Sequence, residues 1–396
     1  MRLLHRSALV ALAATAVLAP SAPAAAHGPN IRAQQWHLGF LKIAEAQQIS
    51  QGEGITVAVI DTGVADHPDL SGNVLTGVDV IAGGTGNGRA DDDGHGTGMA
   101  GIIAAHGHGT GNRDGALGIA PKAKILPIRM SVGTGSKAVE GGDKPVAEGI
   151  RWAIKNGAKI INISQSVGDL ETLRAVNEAQ AAGVLIFAAA GNTDAHDTGV
   201  QVPARYPWAV AVGGLDKSGN HLSTSITGAE VELTAPAEKI YSDNKGGIWR
   251  YGTGTSDSTA IVSGVAALVW SKFPQLSAAE VLHRLEATAT DKGDPGRDPV
   301  YGFGAIDPVK ALTAEVAPSA EPSKSASPLP TYSPRSPEPL AEPSSSNVGL
   351  LVALAIGGLV LLAIIALVLF LALRPRRSTG PPAGPPPPTW PNGPRP

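Results

Sequence analysis

Ile55-Thr56-Val57-Ala58-Val59-Ile60-Asp61-Thr62-Gly63 is an apolar run closed by an aspartate and a glycine turn. A run with almost no polar alternation suits a strand covered on both faces, the pattern of a parallel sheet rather than of a one-faced antiparallel one. Similar runs return at 123–128, 159–163, 184–190 and 209–213, and helical periodicity fills intervals at 145–156 and 170–182. Strands alternating with helices predict an α/β domain with a mostly parallel sheet, in which ligands bind at the carboxyl ends of the strands. The residues just past each strand are therefore where chemistry is to be sought.

Four such positions carry chemically useful side chains. Asp61 closes the first strand, and Asn192 follows the run at 185–190 through Gly191. In Asp93-Gly94-His95-Gly96-Thr97-Gly98-Met99-Ala100-Gly101 a histidine opens an apolar, glycine-flanked helix. In Gly252-Thr253-Gly254-Thr255-Ser256-Asp257-Ser258-Thr259-Ala260-Ile261-Val262-Ser263-Gly264 a glycine-rich turn feeds a helix and puts Ser256 in its first turn. From Ala260 onward, apolar residues at 260, 261, 264, 265, 268 and 269 mark one buried face, so the serine end is expected to point out of the core. There the unpaired N–H groups and the positive end of the helix dipole would stabilise developing negative charge. Taken singly, Ser256 reads rather as a helix cap, Asp61 and Asn192 as turn formers, and His95 as a structural histidine. Taken together, all four lie at a strand end or helix start, and Asp, His, Ser is a known chain order for a serine triad.

Val59-Ile60-Asp61-Thr62-Gly63, Gly94-His95-Gly96-Thr97-Gly98-Met99-Ala100-Gly101, Ala189-Ala190-Gly191-Asn192 and Gly254-Thr255-Ser256 resemble the four signature blocks of the subtilisin-like serine proteases, the subtilases or S8 family. The match covers residues 51–313. It implies a subtilisin-like three-layer fold, a mostly parallel central sheet flanked by helices, and an endopeptidase. In the mechanism it implies, Ser256 attacks the scissile carbonyl, His95 moves its proton to the leaving amine, and Asp61 orients the imidazole. The Asn192 side chain and the Ser256 backbone N–H would bind the oxyanion. The chain departs from the family at Gly98, where many members have a second histidine, and at Ala260, where many have proline; neither is needed for the proton relay. Asp257 follows the nucleophile directly, and because an inward charge would disfavour the oxyanion it is expected to face solvent. Gln165 follows the strand that lines the family's primary specificity pocket, and its polarity there is unusual.

The flanks have a different character. Residues 1–26 carry Arg2 and Arg6, an apolar stretch and a small-residue end, and read as a signal peptide. Residues 27–50, with Gln35-Trp36-His37-Leu38, are too few for a separate inhibitory propeptide and are expected to be an extension packed on the catalytic domain. Residues 314–347 form a Pro/Ser-rich linker, and residues 348–373 are apolar without a charge, roughly 39 Å of helix at about 1.5 Å per residue, enough for a transmembrane span. The basic cluster at 374–377 opens a Pro-rich tail to residue 396 and predicts a single-pass chain in the cell membrane, with that tail cytoplasmic and the catalytic domain extracytoplasmic. This architecture resembles the mycosins, membrane-anchored subtilases associated with type VII secretion. The resemblance implies protein or peptide substrates and type VII secretion membrane components as partners. Two alternatives stand beside it: a structural subunit of a secretion complex with proteolysis secondary, and a general degradative protease of the envelope.

Composition excludes several classes. Charged residues are 16% with a net charge of −3, which argues against nucleic-acid binding, and the absence of cysteine removes disulfides, thiolate metal sites and cysteine nucleophiles. No cofactor is expected. Asp91-Asp92-Asp93 admits a structural calcium site, with a solvated acidic loop the preferred reading, and His106 and His108 read as a surface loop rather than metal ligands.

Overall fold

Asp61 ends a strand that sits in the middle of the sheet. The computed structural model describes residues 31–133 and 144–318. The expected signal peptide, transmembrane segment, cytoplasmic tail and nearly all of the linker lie outside these residues. Among the described residues no helix is long and apolar enough to cross a membrane.

Seven strands form one sheet: β1 (Thr56–Asp61), β2 (Val78–Asp79), β3 (Lys124–Arg129), β4 (Ile160–Ile163), β5 (Leu185–Ala189), β6 (Ala209–Leu215) and β7 (Val231–Pro236), in the order β2-β3-β1-β4-β5-β6-β7. Every pairing is parallel, with Val57 opposite Ile125 on one side and Ile160 on the other. The fold is thus the subtilisin-like α/β architecture expected. The chain leaves β1 for β2 and β3 on one side and then for β4 on the other, so the order reverses beside β1 and opens a crevice at its carboxyl end.

Apolar clusters cover both faces. On one face α5 (Lys144–Lys155) and α6 (Leu170–Ala181) pack through Val146, Ile150, Ala175 and Val176. On the other lie α4 (His95–Ala104), α7 (Thr255–Lys272), α8 (Ala278–Thr288) and α9 (Pro308–Thr313). A two-stranded antiparallel hairpin, β8 (Ile240–Asn244) and β9 (Ile248–Gly252), stands apart from the main sheet and runs directly into α7.

The α7 helix departs from expectation. In place of one buried face it is buried all round from Thr255 to Trp270, with Ser256 the single partly exposed residue in that span. It packs on β4 to β7 on one side and on α4, α8 and α9 on the other. Small residues make this possible: a Cβ at Gly264 would come within 2.6 Å of the Ile119 Cβ. Its hydroxyls are satisfied locally or by the sheet, Ser258 and Thr259 donating to the Thr255 carbonyl and Ser263 to the buried Asn162 Oδ1.

The segment before β1 is folded against this body as α1 (Ile31–Gln34), α2 (Trp36–Phe40) and α3 (Ile43–Ile49). Ile31, Leu41, Ile43 and Ala46 join the same core as α7. The Gln35 amide donates to the carbonyls of Leu117 and Tyr241 and accepts from Leu117 N–H, and the Trp36 indole donates to Glu238 O.

Candidate active site

The end of β1 and the start of α4 approach closely because both are glycine-rich at the contact. A Cβ at Gly96 would lie 2.1 Å from the Gly63 carbonyl oxygen and 3.1 Å from the Asp61 Cβ. His95, the first residue of α4, is thereby set over Asp61, with its Nδ1 2.8 Å from Asp61 Oδ1. A carboxylate only accepts, so Nδ1 carries the proton and Nε2 is left with its lone pair. Asp61 Oδ1 also accepts from Thr62 N–H at 2.7 Å and from the Gln165 amide at 3.1 Å.

Both members of this pair are buried. Burial opposes the charge on Asp61, but the imidazole and the converging donors outweigh it and hold the carboxyl below its ordinary value. Burial likewise opposes a charged His95, and the Asp61 carboxylate outweighs that, so the imidazole stays above its ordinary value.

Ser256 is the second residue of α7, behind Gly254 as the residue flanking the helix, so it does not act as the cap. Its Oγ donates to the Ser164 carbonyl at 2.9 Å, while the Ser164 hydroxyl donates to Ser256 O at 3.1 Å. Ser164 is itself held by the buried Asn162 amide, so the serine segment is stitched to the end of β4. The serine hydroxyl is not bonded to His95, and delivering its proton there requires a side-chain rotation.

Asn192 lies just past β5. Its Oδ1 accepts from Thr255 N–H at 2.9 Å, which fixes the amide orientation and leaves Nδ2 as the donor. The approach depends on Gly254, where φ is 155° and a Cβ would sit 3.2 Å from Asn192 Oδ1. Asn192 and Ser256 are thus joined through adjacent residues of one turn, and Asp61 and His95 through a direct hydrogen bond.

Asp257 contradicts the sequence expectation. It is 3% exposed rather than solvent-facing, and its Oδ1 is buried without a hydrogen-bond donor. The cause is the all-round burial of α7 together with Gly252, where a Cβ would meet both Asp257 oxygens within 2.8 Å. Burial pushes its carboxyl up to about 6, with the nearby Arg250 and His95 charges acting in the opposite direction. Gly98 contributes to the same arrangement: a Cβ there would lie 3.4 Å from Arg250 Nη1, so the residue that departs from the family pattern leaves space the guanidinium uses.

Two further participants were not legible in the sequence. Gln165, flagged there only as unusual, is buried and bridges Asp61 to Ser131. Asp91, read as part of an acidic loop, is buried and caps α4: its Oδ1 accepts from Thr62 Oγ1 and from the N–H groups of Asp93 and Gly94, and its Oδ2 from Thr97 N–H and Oγ1. Asp92 pairs with Arg129. With Asp91 saturated by donors and Asp92 in an ion pair, the acidic run does not fit a calcium ion, and no step is derived through one. His108 is half-buried and donates to Asp69 Oδ1 at 2.5 Å rather than standing free on the surface.

The subtilase family pattern matches residues 52–304. The chain is 37% identical to subtilisin DY of Bacillus licheniformis over 262 residues, which is 65% of this chain and 90% of that protein. It is 38% identical over 274 residues to the thermostable alkaline protease of Halalkalibacterium halodurans, covering 68% of this chain and 71% of that protein. Among solved structures, MycP1 with its N-terminal propeptide removed superposes with a TM-score of 0.63 at 34% identity, over 72% of this chain and 99% of that one. The MycP3 protease from the type VII (ESX-3) secretion system gives 0.60 at 32% identity, over 71% and 88%.

Proposed function

Because the chain belongs to the subtilase family and is a subtilisin-like serine protease, we propose that Ser256, His95 and Asp61 are its nucleophile, general base and orienting carboxylate, and that Asn192 is its oxyanion donor. The observation that carries the assignment is the His95 Nδ1–Asp61 Oδ1 hydrogen bond of 2.8 Å, which turns the basic Nε2 away from the carboxylate. His95 takes the Ser256 proton through Nε2 as Oγ attacks the scissile carbonyl, and Asp61 stabilises the imidazolium that results. The Asn192 Nδ2–H and the Ser256 N–H at the positive end of α7 supply hydrogen bonds to the oxyanion as it forms. His95 then protonates the leaving amine, and a water repeats the sequence to release the acyl group. Labelling by a fluorophosphonate probe is expected for the wild type and absent in Ser256→Ala; labelling that survives the substitution would sink the assignment.

The protein substrates are proposed to lie outside the cell membrane and to belong to type VII secretion. Support comes from the likeness to MycP1 and MycP3 and from the apolar stretch at 348–373 followed by basic residues. Secretion is to be compared in strains carrying Ser256→Ala and a full deletion. Loss of secretion in the deletion with retention in Ser256→Ala would make the chain a structural subunit; no effect of either would make it a general envelope protease.

A further inference from the structure

The dipeptide Ser164-Gln165, just past β4, touches both halves of the proposed site. Ser164 accepts the Ser256 hydroxyl on its carbonyl oxygen and donates its own hydroxyl to Ser256 O. Gln165 turns the other way and places its amide 3.1 Å from Asp61 Oδ1. A carboxylate only accepts, so the nitrogen of that amide faces Asp61. Among the described residues, Asp61 Oδ1 receives three donors, Thr62 N–H, His95 Nδ1–H and the Gln165 amide, while Oδ2 is buried with none. Thr62 contributes backbone, so His95 and Gln165 are the two side chains that hold the carboxylate.

The strand order makes this reach possible. β1 lies between β3 and β4, so the carboxyl ends of all three strands stand side by side. Met130 N–H donates to the Asp61 carbonyl at 2.8 Å, which sets Ser131, the next residue, beside the end of β1. The Gln165 side chain crosses from the end of β4 to the end of β3 and meets the Ser131 hydroxyl with both polar atoms, Nε2 at 3.1 Å and Oε1 at 3.2 Å. Ser131 is 1% exposed and Gln165 8%, so the bridge is largely shut off from water and its amide has fixed partners.

Resting on the assignment of Ser256, His95 and Asp61 above, we propose that Gln165 is a positioning residue of the reaction: it holds Asp61 Oδ1 in place for His95 and, through its neighbour Ser164, ties that carboxylate to the segment carrying Ser256. Rotation of the Asp61 carboxyl would carry Oδ1 away from His95 Nδ1, and an amide anchored at Ser131 opposes it. The amide also acts on charge. Its N–H end points at the oxygen that the imidazolium uses, so it shares the carboxylate's negative charge with His95 and disfavours the charged imidazole. Burial and Arg250 act on His95 in the same direction as Gln165, while Asp61 and Asp257 favour the charged form.

Gln165→Met keeps the length of the side chain and removes its donor. In the full chain, the rate of fluorophosphonate labelling at saturating probe is expected to fall about tenfold, the worth of one hydrogen bond to a charged group, with the half-saturating concentration nearly unchanged. The acid limb of the labelling rate is expected to move to higher pH, opposite to the direction expected of Asp257→Asn. Gln165→Met combined with Asp61→Asn should label no more slowly than Asp61→Asn alone, since both act through one carboxylate. An unchanged rate and an unmoved acid limb in Gln165→Met overturn the proposal, and so do additive losses in the double variant, which would mark a packing defect. A wild type that takes up no probe defeats the assignment of Ser256, His95 and Asp61 and this role with it; a labelled wild type matched by Gln165→Met defeats the role of Gln165 alone. Should Gln165→Met not fold, Ser131→Ala, which frees the far end of the amide, decides by an acid-limb shift in the same direction, and an unmoved limb there overturns the proposal.

Discussion

Asp257 places a second carboxyl beside the His95–Asp61 pair, and its energetics run against the usual direction for an acidic side chain. Its carboxyl is held at about 6 by burial, above the ordinary value of 3.8, so the folded chain keeps a proton that the unfolded chain releases across that window. Stability therefore falls as pH rises through the window, by on the order of 2–3 kcal/mol once both states are ionised. Asp257→Asn is expected to raise Tm at pH 8 and to leave it nearly unchanged at pH 4; equal shifts at both values would contradict the burial argument. The carboxylate also favours the charged form of His95, so removing it should move the acid limb of kcat/KM to lower pH. The carboxylate proposed to orient His95 is tested in the same way. Asp61→Asn should lower kcat by about 10⁴-fold, the loss seen in serine triads when the amide favours the wrong imidazole tautomer. Asn192→Ala should cost about a hundred- to a thousandfold in kcat, the loss known for subtilisin's own oxyanion asparagine. Steady-state kinetics across pH measure all three.

At the scale of the element, the segment 31–50 behaves as part of the domain. Gln35 satisfies two carbonyls and one N–H from separate parts of the chain while itself 3% exposed. Gln35→Ala strands those groups and is expected to destabilise by about 1–3 kcal/mol, read as a fall in the denaturation midpoint without a change in m-value. What could be read from the chain alone follows the same physics. The strands β1, β3, β4, β5 and β6 were visible because a strand covered on both faces is written as an apolar run. Strand β7 was missed because Val231-Glu232-Leu233-Thr234-Ala235-Pro236 alternates and ends in proline, as an edge strand does. The hairpin at 240–252 has no apolar face long enough to announce it. Asp61, His95, Asn192 and Ser256 were legible because each punctuates an element. Gln165 and Asp257 were not, because their roles depend on partners far away in sequence: Gln165 reaches Asp61, and Asp257 lies in the fields of Arg250 and His95.

Across the whole molecule, the proposed reacting groups arrive from separate elements and meet where the strand order reverses beside β1. None of these elements is peripheral, and α7 least of all, since it touches five strands and four helices. Local openings in proteins draw on segments with few buried contacts, and α7 is the opposite of such a segment. Loss of peptidase activity on heating should therefore coincide with loss of tertiary circular dichroism; activity that vanished while the near-ultraviolet signal persisted would contradict this. The consequence reaches to self-digestion. Partial melting that offers a surface loop to a neighbouring molecule leaves the proposed nucleophile in its frame, so a sample losing loops keeps its working molecules. Melting deep enough to offer up α7 disarms the same molecule, and the population then contains intact cutters and spent victims, with no half-working form between them.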